Sequence, residues 1–302
     1  MLIEPHDTVL CLYHNDPDGQ CSAAIVRKRY GKNVRLIAVD YGYEIPWEAI
    51  EAADVVVMTD FSLPLAEMER IMQNARLVWI DHHKTALEDL ADLSVPGLRA
   101  LDRAGCVLTW EFLFPDEPLP RPVRYIGERD IWTIHHEETK PFCEALYQRN
   151  QHPSNDAIWV PLLEDDEELV RLLVAEGKLL LSVRQRAIQR QVHGRGFEIL
   201  FEGHRTLAIN QRGTGELGEY IRSLGYVLGY AYVQVLQKEG LFTQVTLYSD
   251  QIDVSRIAVK FGGGGHAGAA GFAFPSRSTP FPEEAHVEWD VKAQEEDGDG
   301  HA

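Results

Sequence analysis

Hydrophobic residues in the first half of the chain fall into short continuous runs that alternate with amphipathic stretches. The runs predict four buried strands, at Thr8–Tyr13, Val34–Val39, Asp54–Thr59 and Arg76–Ile80. The stretches between them predict helices at Gly19–Tyr30, Pro46–Ala52 and Pro64–Asn74, and the last two begin with proline, which favours the first helical turn. Continuous apolar strands that alternate with helices are typical of a parallel sheet covered on both faces. We therefore predict a doubly wound, mostly parallel α/β domain.

The second half of the chain begins with helices and then returns to strands. Helices are predicted at Ala104–Phe114, at Pro122–Glu128 and from about Asp165 to about Gln191. Strands at Phe197–Phe201, Thr206–Asn210, Tyr226–Val235 and Phe242–Tyr248, with helices at Gly215–Leu224 and Val254–Lys260, predict a smaller α/β domain. The predicted organisation is one domain over residues 1–155, a helical linker over 156–194, a second domain over 195–276 and an acidic, flexible tail over 277–302.

Charge and composition narrow the classes of function. The 302 residues contain 29 Lys and Arg against 47 Asp and Glu, a net charge of −18, so the chain lacks the basic surplus of a protein that coats long nucleic acid. Its four cysteines form no CxxC pair, which indicates reduced thiols rather than a disulfide framework or a zinc cage. The sequence shows no signal peptide and no apolar run long enough to span a bilayer. We expect a cytoplasmic protein without membrane contact.

Acidic residues and histidines follow three of the predicted strands. His14, Asp16 and Asp18 follow the first strand, Asp60 follows the third, and Asp81-His82-His83 follows the fourth. Asp130 lies further along, in the segment YIGERDIW. Because the carboxyl ends of parallel strands share one edge of the sheet, these groups should converge, and a cation would offset their repulsion. Carboxylates with a few imidazoles suit Mn²⁺ or Mg²⁺, and one bridging carboxylate could serve two ions roughly 3.5–4 Å apart.

Each of these residues has a simpler interpretation when it is taken alone. A strand-end aspartate such as Asp60 or Asp81 is usually a helix cap, and a histidine pair such as His135-His136 is usually exposed or hydrogen-bonded. Capping does not explain HxDxDG, a strand-end aspartate and DHH in this order, so the combination favours a metal site.

The segment FGGGGHAGAAGF near the end of the second domain also has two interpretations. Glycines permit a tight turn before a last strand, which is the common case. Alternatively, Gly263, Gly264 and Gly265 allow the backbone to approach a ligand, with their amides and His266 in contact with a phosphate or a sugar.

Taken in order, HNDPDG, Asp60, Asp81-His82-His83, Asp130 and GGGGHAGAAGF resemble the DHH/DHHA1 phosphoesterase superfamily, up to about Phe274. Within it, the size resembles the branch of oligoribonucleases (nano-RNases) and cyclic-nucleotide phosphodiesterases, which is related to RecJ. The resemblance implies a DHH domain with two Mn²⁺, a DHHA1 domain that closes over the substrate, and metal ligands at His14, Asp16, Asp18, Asp60, His82 and Asp130. It further implies that Asp60 bridges the ions, that Asp81 orients the histidine that follows it, and that His83 contacts the scissile phosphate. The substrate terminus would bind at Gly263, Gly264, Gly265 and His266.

The sequence departs from the family pattern at two positions. Gln20 stands where many nano-RNases have an aspartate, while Asp16 upstream matches RecJ-type exonucleases, so which ion each of Asp16 and Asp18 serves stays open. Tyr248 stands where the family has an arginine; a tyrosine can stack on a base but cannot neutralise a phosphate, and we assign it as a substrate contact.

The predicted function is Mn²⁺-dependent hydrolysis of short oligonucleotides or dinucleotides to mononucleotides, with Mg²⁺ as the alternative ion. The alternatives that share the metal core are a cyclic-dinucleotide phosphodiesterase, a phosphatase acting on 3′-phosphoadenosine 5′-phosphate (pAp), and a RecJ-like single-strand exonuclease. A non-catalytic metal or nucleotide sensor is the alternative from another class. The partner is a short nucleic acid or a nucleotide, and the protein is a monomer or a homodimer.

Overall fold

The computed structural model describes residues 4, 6–40 and 42–289. They divide into two compact units, the first ending at Leu181 and the second beginning at Ser182. This division falls inside one long helix, whereas the sequence predicts boundaries near residues 155 and 195, which stay predictions. Among the described residues, no helix combines the length and the apolar character that a membrane crossing requires.

A four-stranded, entirely parallel sheet lies at the centre of the first unit. Its strands are β1 (Val9–His14), β2 (Arg35–Val39), β3 (Val55–Thr59) and β4 (Arg76–Ile80), and they lie side by side in the order β2-β1-β3-β4. Tyr13 pairs with Thr59, and Thr59 pairs with Ile80, so the carboxyl ends of three neighbouring strands are level. The strand order reverses between β1 and β3, which is where ligands bind in sheets of this type.

Helices cover both faces of this sheet. The helices described in this unit are α1 (Pro17–Tyr30), α2 (Trp47–Glu51), α3 (Leu65–Asn74), α4 (Lys84–Asp89), α5 (Gly105–Leu113), α6 (Arg121–Asp130), α7 (Thr139–Leu146), α8 (Asp156–Leu163) and α9 (Glu167–Arg195), the last of which continues into the second unit. Along β1, Leu10 and Leu12 are buried in one hydrophobic cluster while Cys11 and Tyr13 are buried in the other. Both faces of a strand can be buried only when the sheet is covered on both sides, so the predicted doubly wound domain is confirmed.

The predicted elements of the first unit agree with the structure except for three short helices. Helices α4, α7 and α8, which have six to eight residues each, are not predicted by the hydrophobic pattern. Helices of this length depend on tertiary packing more than on their own pattern, and Pro161 lies inside α8. Helix α6 extends beyond its predicted end to include Asp130.

The second unit contains a seven-stranded mixed sheet. Its strands are β5 (Phe197–Phe201), β6 (His204–Asn210), β7 (Leu228–Gln237), β8 (Gly240–Tyr248), β9 (Gly264–His266), β10 (Ala269–Pro275) and β11 (Val287–Glu288), in the order β11-β5-β6-β7-β8-β10-β9. Only β6 and β7 pair in parallel among these described strands. Helices α10 (Gly215–Ser223) and α11 (Val254–Lys260) complete the unit, which agrees with the predicted α/β domain.

Part of the predicted flexible tail is folded. Phe281 is 3% exposed and packs against Phe201 and Tyr230, and β11 pairs with β5 in antiparallel register. The prediction of a flexible tail is wrong for residues 277–289. It rests on the acidic composition of the segment, whereas the side chain of Phe281 anchors the segment to the second unit. Residues 290–302 lie outside the described part of the chain.

Candidate metal centre

Helix α1 begins directly after β1 and holds two of the predicted ligands in different ways. Asp16 is the N-cap of the helix, and its Oδ1 accepts a hydrogen bond from the amide of Gly19 at 2.8 Å. Asp18 is buried in the first turn, where its Oδ2 accepts from the amide of Gly105 at 2.7 Å and its Oδ1 from the amide of Cys106 at 2.9 Å. The amino terminus of α5 therefore stabilises the Asp18 carboxylate.

Asp60 lies at the centre of the cluster. It follows β3 with a φ of 55°, a left-handed conformation that is uncommon outside glycine, and its amide donates to the carbonyl of Ile80 at 2.9 Å. Its side chain is 1% exposed. Oδ1 lies 3.1 Å from Nε2 of His82, whereas Oδ2 faces Nδ1 of His14 at 3.7 Å. Oδ2 has no hydrogen-bond partner among the described residues, so a buried carboxylate oxygen is left with unmet bonding capacity.

The predicted ligands form two groups around this carboxylate. His14, Asp16 and Asp60 bring one ligand atom each to within 4.8 Å of one another, and so do Asp18, His82 and Asp130. Asp60 joins the groups, because its Oδ1 lies 3.1 Å from His82 Nε2, a member of the second group. A further group of the same size contains Asp60, His82 and His83. The structure thus brings together all six predicted ligands.

Asp81 orients His83 rather than His82. Oδ1 of Asp81 accepts from Nδ1 of His83 at 2.8 Å, and from the amides of His82 at 2.7 Å and His83 at 3.1 Å. Oδ2 lies 3.3 Å from the indole nitrogen of Trp79. The predicted role of Asp81 toward the histidine that follows it needs correction, since Asp81 contacts the backbone of His82 and the ring of His83.

The electrostatics of the cluster favour a bound cation. Burial raises the pKa of Asp60 to about 7. Burial also raises the pKa of Asp18 well above its usual range, with a further contribution from the charges of Asp60 and Asp130. The pKa of Asp130 is raised as well, chiefly by burial. A hydrogen bond to Asp16 raises the pKa of His14 to about 10. Carboxylates that are this costly to ionise together become stable once a metal ion supplies positive charge.

Two residues of the site were missed by the sequence analysis. A Cβ added to Gly105 would lie 2.7 Å from Cβ of Asp60 and 2.9 Å from Oδ2 of Asp18, so only glycine fits at this position. Asp40 directly follows β2, and its Oδ1 lies 3.7 Å from Nε2 of His14. The rule that identified Asp60, an aspartate at the end of a buried strand, would have identified Asp40 as well.

In the second unit, the glycine segment forms the edge strand β9. Gly264, Gly265 and His266 are exposed and pair with β10. The backbone favours glycine at three positions, because Gly262 and Gly265 have φ values of 78° and 138° and a Cβ on Gly263 would lie 2.0 Å from the carbonyl oxygen of Gly271. Gly264 has open space around its Cα. Turn geometry thus explains Gly263 and Gly265, and Gly264 and His266 stay available for a ligand.

Tyr248 does not have the surroundings of a substrate contact. Its side chain is 5% exposed, and it packs so closely beneath α10 that a Cβ on Gly218 would lie 2.5 Å from its ring. Burial raises the pKa of its hydroxyl to about 12. A stacking platform needs an open ring face, so the structure argues against the predicted role of Tyr248.

Sequence comparison finds two relatives of interest, while no protein-family model matches the chain. An uncharacterized protein of Acanthamoeba polyphaga mimivirus is 30% identical over 233 residues, which are 72% of this chain and 53% of the relative. The chain therefore spans about half the length of this viral protein. Oligoribonuclease NrnB of Bacillus subtilis is 23% identical over 298 residues, with 85% of this chain and 71% of the relative covered.

Comparison with solved structures identifies the fold. The DHH domain of a protein from a family of ribosomal proteins superposes with a TM-score of 0.57 and 13% identity, covering 87% of this chain and 82% of that one. A pGpG-specific phosphodiesterase of Vibrio cholerae gives a TM-score of 0.55 and 12% identity, with 89% and 93% covered. The chain has the DHH fold. The predicted fold, two α/β units of which the first contains a parallel sheet, agrees with these neighbours, and the first unit contains the candidate metal centre.

Proposed function

We propose that this protein is a metal-dependent phosphodiesterase that hydrolyses short oligonucleotides or dinucleotides with two divalent ions. The observation that carries the proposal is the pair of ligand groups joined by Asp60, whose Oδ1 faces His82 while its Oδ2 faces His14. A shared carboxylate between two such groups is the arrangement of two-metal phosphoryl-transfer sites.

The donor set fits Mn²⁺ or Mg²⁺. His14, Asp16 and Asp60 would hold one ion, and Asp18, His82 and Asp130, with Asp60 shared, would hold the other. The groups contain no thiolate, and their oxygen-rich composition suits hard divalent cations. When bound, the ions stabilise charge on the phosphoryl oxygens and lower the pKa of water.

His83 is suited to contact the substrate phosphate. Since Asp81 binds Nδ1 at 2.8 Å, Nε2 is the ring nitrogen left to face a ligand. The same hydrogen bond raises the pKa of His83 to about 8, which favours the protonated, donating form of the ring. A cationic, oriented donor of this kind can bind a phosphoryl oxygen and stabilise the charge that develops there.

A short substrate is favoured by charge and by two comparisons. With a net charge of −18, the chain offers little overall attraction for a long polyanion, whereas a small ligand needs only a local site. The named relatives are an oligoribonuclease and a phosphodiesterase specific for pGpG. We include the exposed residues Gly264 and His266 in this proposal as contacts for the substrate terminus, together with the neighbouring Gly263 and Gly265.

One turnover assay tests the proposal. Purified protein with Mn²⁺ is incubated with 5′-labelled RNAs of two to twenty-four nucleotides, pGpG, pAp and cyclic dinucleotides. We expect the dinucleotides to be cleaved fastest, and we expect Asp60→Asn to abolish cleavage while the surface variant Asp116→Asn leaves it unchanged. Preferred cleavage of the longest RNA would favour a RecJ-like single-strand exonuclease over a hydrolase of short substrates. Cleavage that persists in excess chelator would contradict the metal mechanism.

A further inference from the structure

An exposed tryptophan follows closely in sequence after Asp130, one of the candidate metal ligands. Trp132 is 64% exposed and comes two residues after Asp130, on the turn that follows α6. By contrast, Trp79, Trp110 and Trp159 are buried in the first unit. Exposing a large aromatic ring to water forfeits the stabilisation that its burial would give, so a tryptophan held in this position calls for an explanation.

The backbone at Trp132 is held in an unfavourable conformation. Its φ is 56°, the left-handed region, which is rare for a bulky residue and is stabilised only when the surrounding contacts enforce it. These contacts come from Glu128, which is buried in the last turns of α6. Its carbonyl accepts from the amide of Thr133 at 3.0 Å, on the residue directly after the tryptophan.

The carboxylate of Glu128 holds the remainder of the turn. It accepts hydrogen bonds from Nδ1 of His136 at 2.5 Å, from the amides of His135 and His136 at 3.3 Å each, and from the hydroxyl of Thr139. One buried side chain therefore ties residues 135–139 to the helix that carries Asp130. The position of Trp132 is fixed by this network rather than by packing of its own ring.

Arg129 covers one face of the indole. Its guanidinium carbon lies 4.1 Å from the ring centroid. Because the tryptophan stays 64% exposed with this face covered, its other face is open. An open aromatic face backed by a cation is what a nucleobase stacks on, and the arginine adds positive charge beside it.

We propose that Trp132, supported by Arg129, is the platform on which a nucleobase of the substrate stacks. This inference rests on the proposed phosphodiesterase function and assigns the residue that distinguishes a nucleotide from other phosphodiesters. Glu128 acts as a positioning residue, because it fixes the turn without touching the ligand. The stack would use the π face that every base has, so the platform would select nucleotides without selecting one base.

Two esters with the same leaving group test the stack. Thymidine 5′-(p-nitrophenyl phosphate) carries a base, and methyl p-nitrophenyl phosphate carries none. In Trp132→Ala, kcat/KM for the thymidine ester should fall about tenfold or more, within the roughly 5- to 150-fold range of one lost base stack, while the methyl ester is unaffected. Trp132→Phe should retain most of the activity on both esters. The matched control is Trp289→Phe, since Trp289 is also exposed, at 58%, but stacks on Phe197 at the other edge of the second sheet from β9.

The outcomes separate this inference from the proposed function. An equal loss on both esters in Trp132→Ala would show that the residue is structural, and no loss on either would show that it does not touch the base; both overturn the platform. If the wild-type protein cleaves neither ester nor any of the oligonucleotides and dinucleotides named above, the phosphodiesterase proposal fails, and the platform is then judged by tryptophan fluorescence during titration with adenosine 5′-monophosphate. Quenching that disappears in Trp132→Phe but persists in Trp289→Phe supports stacking. Quenching that persists in Trp132→Phe, or its absence in the wild type, overturns it.

Discussion

The amide of Gly105 donates a 2.7 Å hydrogen bond to Oδ2 of Asp18, a carboxylate that lies 87 residues earlier in the chain. The same glycine leaves the space that the side chain of Asp60 occupies, since an added Cβ would lie 2.7 Å from Asp60 Cβ. The amino terminus of α5 therefore touches both groups of candidate ligands through a residue that has no side chain.

Gly105→Ala should lower metal affinity by about 10–100-fold, the usual cost of disturbing residues that support metal ligands. The new methyl group would displace Asp60 or Asp18, and neither buried carboxylate has room to move. Binding of Mn²⁺ followed by calorimetry measures the effect.

Gly194→Ala is the control for this change, because Gly194 also lies in a helix and has open space at its Cβ position. It should stabilise the protein by about 0.5–1 kcal/mol through helix propensity, with metal affinity unchanged. Wild-type metal affinity in Gly105→Ala would show that the site tolerates a Cβ there.

His82→Ala and His83→Ala should separate the roles of the two histidines. Nε2 of His82 lies 3.1 Å from Asp60 and 3.4 Å from Asp130, so its removal should release a metal ion. His83 is held by Asp81, and its removal should leave the metal content intact while turnover falls. Metal analysis of both purified variants by mass spectrometry, beside a dinucleotide assay, checks the division; equal metal loss in both would assign His83 to the ion as well.

Asp60→Asn should stabilise the metal-free protein and abolish its response to Mn²⁺. The buried carboxylate is costly to ionise without a cation, and asparagine removes that cost together with the bridging ligand. Thermal unfolding with chelator and with Mn²⁺ measures both effects. Asp116→Asn, at an exposed carboxylate, should match the wild type in both conditions, and a remaining Mn²⁺ shift in Asp60→Asn would argue against a shared ligand.

Between about pH 6 and about pH 8.5, the metal-free protein should lose stability as the pH rises. The pKa of Asp60 is about 7 in the folded state against 3.8 for a free aspartate, so the folded chain binds the extra proton between these values and the free energy of unfolding falls with pH across them. For His83 and His14, with pKa values of about 8 and about 10 against 6.5, the stabilisation is present below 6.5 and is lost as the pH rises to the folded value. All three groups act in the same direction.

Thermal unfolding in chelator at about pH 6 and about pH 8.5 measures this loss, since the stabilisation that His83 and His14 contribute decreases over that interval. Added Mn²⁺ should reduce the slope, because ionised carboxylates and neutral imidazoles are the forms that bind a metal. In Asp60→Asn, the decrease between about pH 4 and about pH 7 should be smaller than in the wild type. A metal-free protein that becomes more stable with rising pH would contradict the charge distribution described for the site.

Much of the first unit could be predicted because its information is local. Continuous apolar runs mark β1 to β4, and the residues directly after β1, β3 and β4 are those that converge. The predictions that fail depend on contacts between distant segments. The burial of Tyr248 follows from the closeness of Gly218. The exception is Asp81, whose contact with the ring of His83 spans only two residues and follows from the path of the chain after β4. The anchor provided by Phe281 depends on aromatic partners some eighty and fifty residues earlier, at Phe201 and Tyr230.

The placement of the ligands also has a consequence for folding. The residues that meet at Asp60 come from the end of β1, the start of α1, the segment after β4 and the end of α6, so no fragment shorter than residues 14–130 contains the site. An ion that binds only this assembled arrangement stabilises the native state by mass action and has no comparable target in the unfolded chain. Metal occupancy would therefore depend on the folding of the whole first unit. A shortage of metal would lower the steady-state amount of folded protein, in addition to any effect on catalysis.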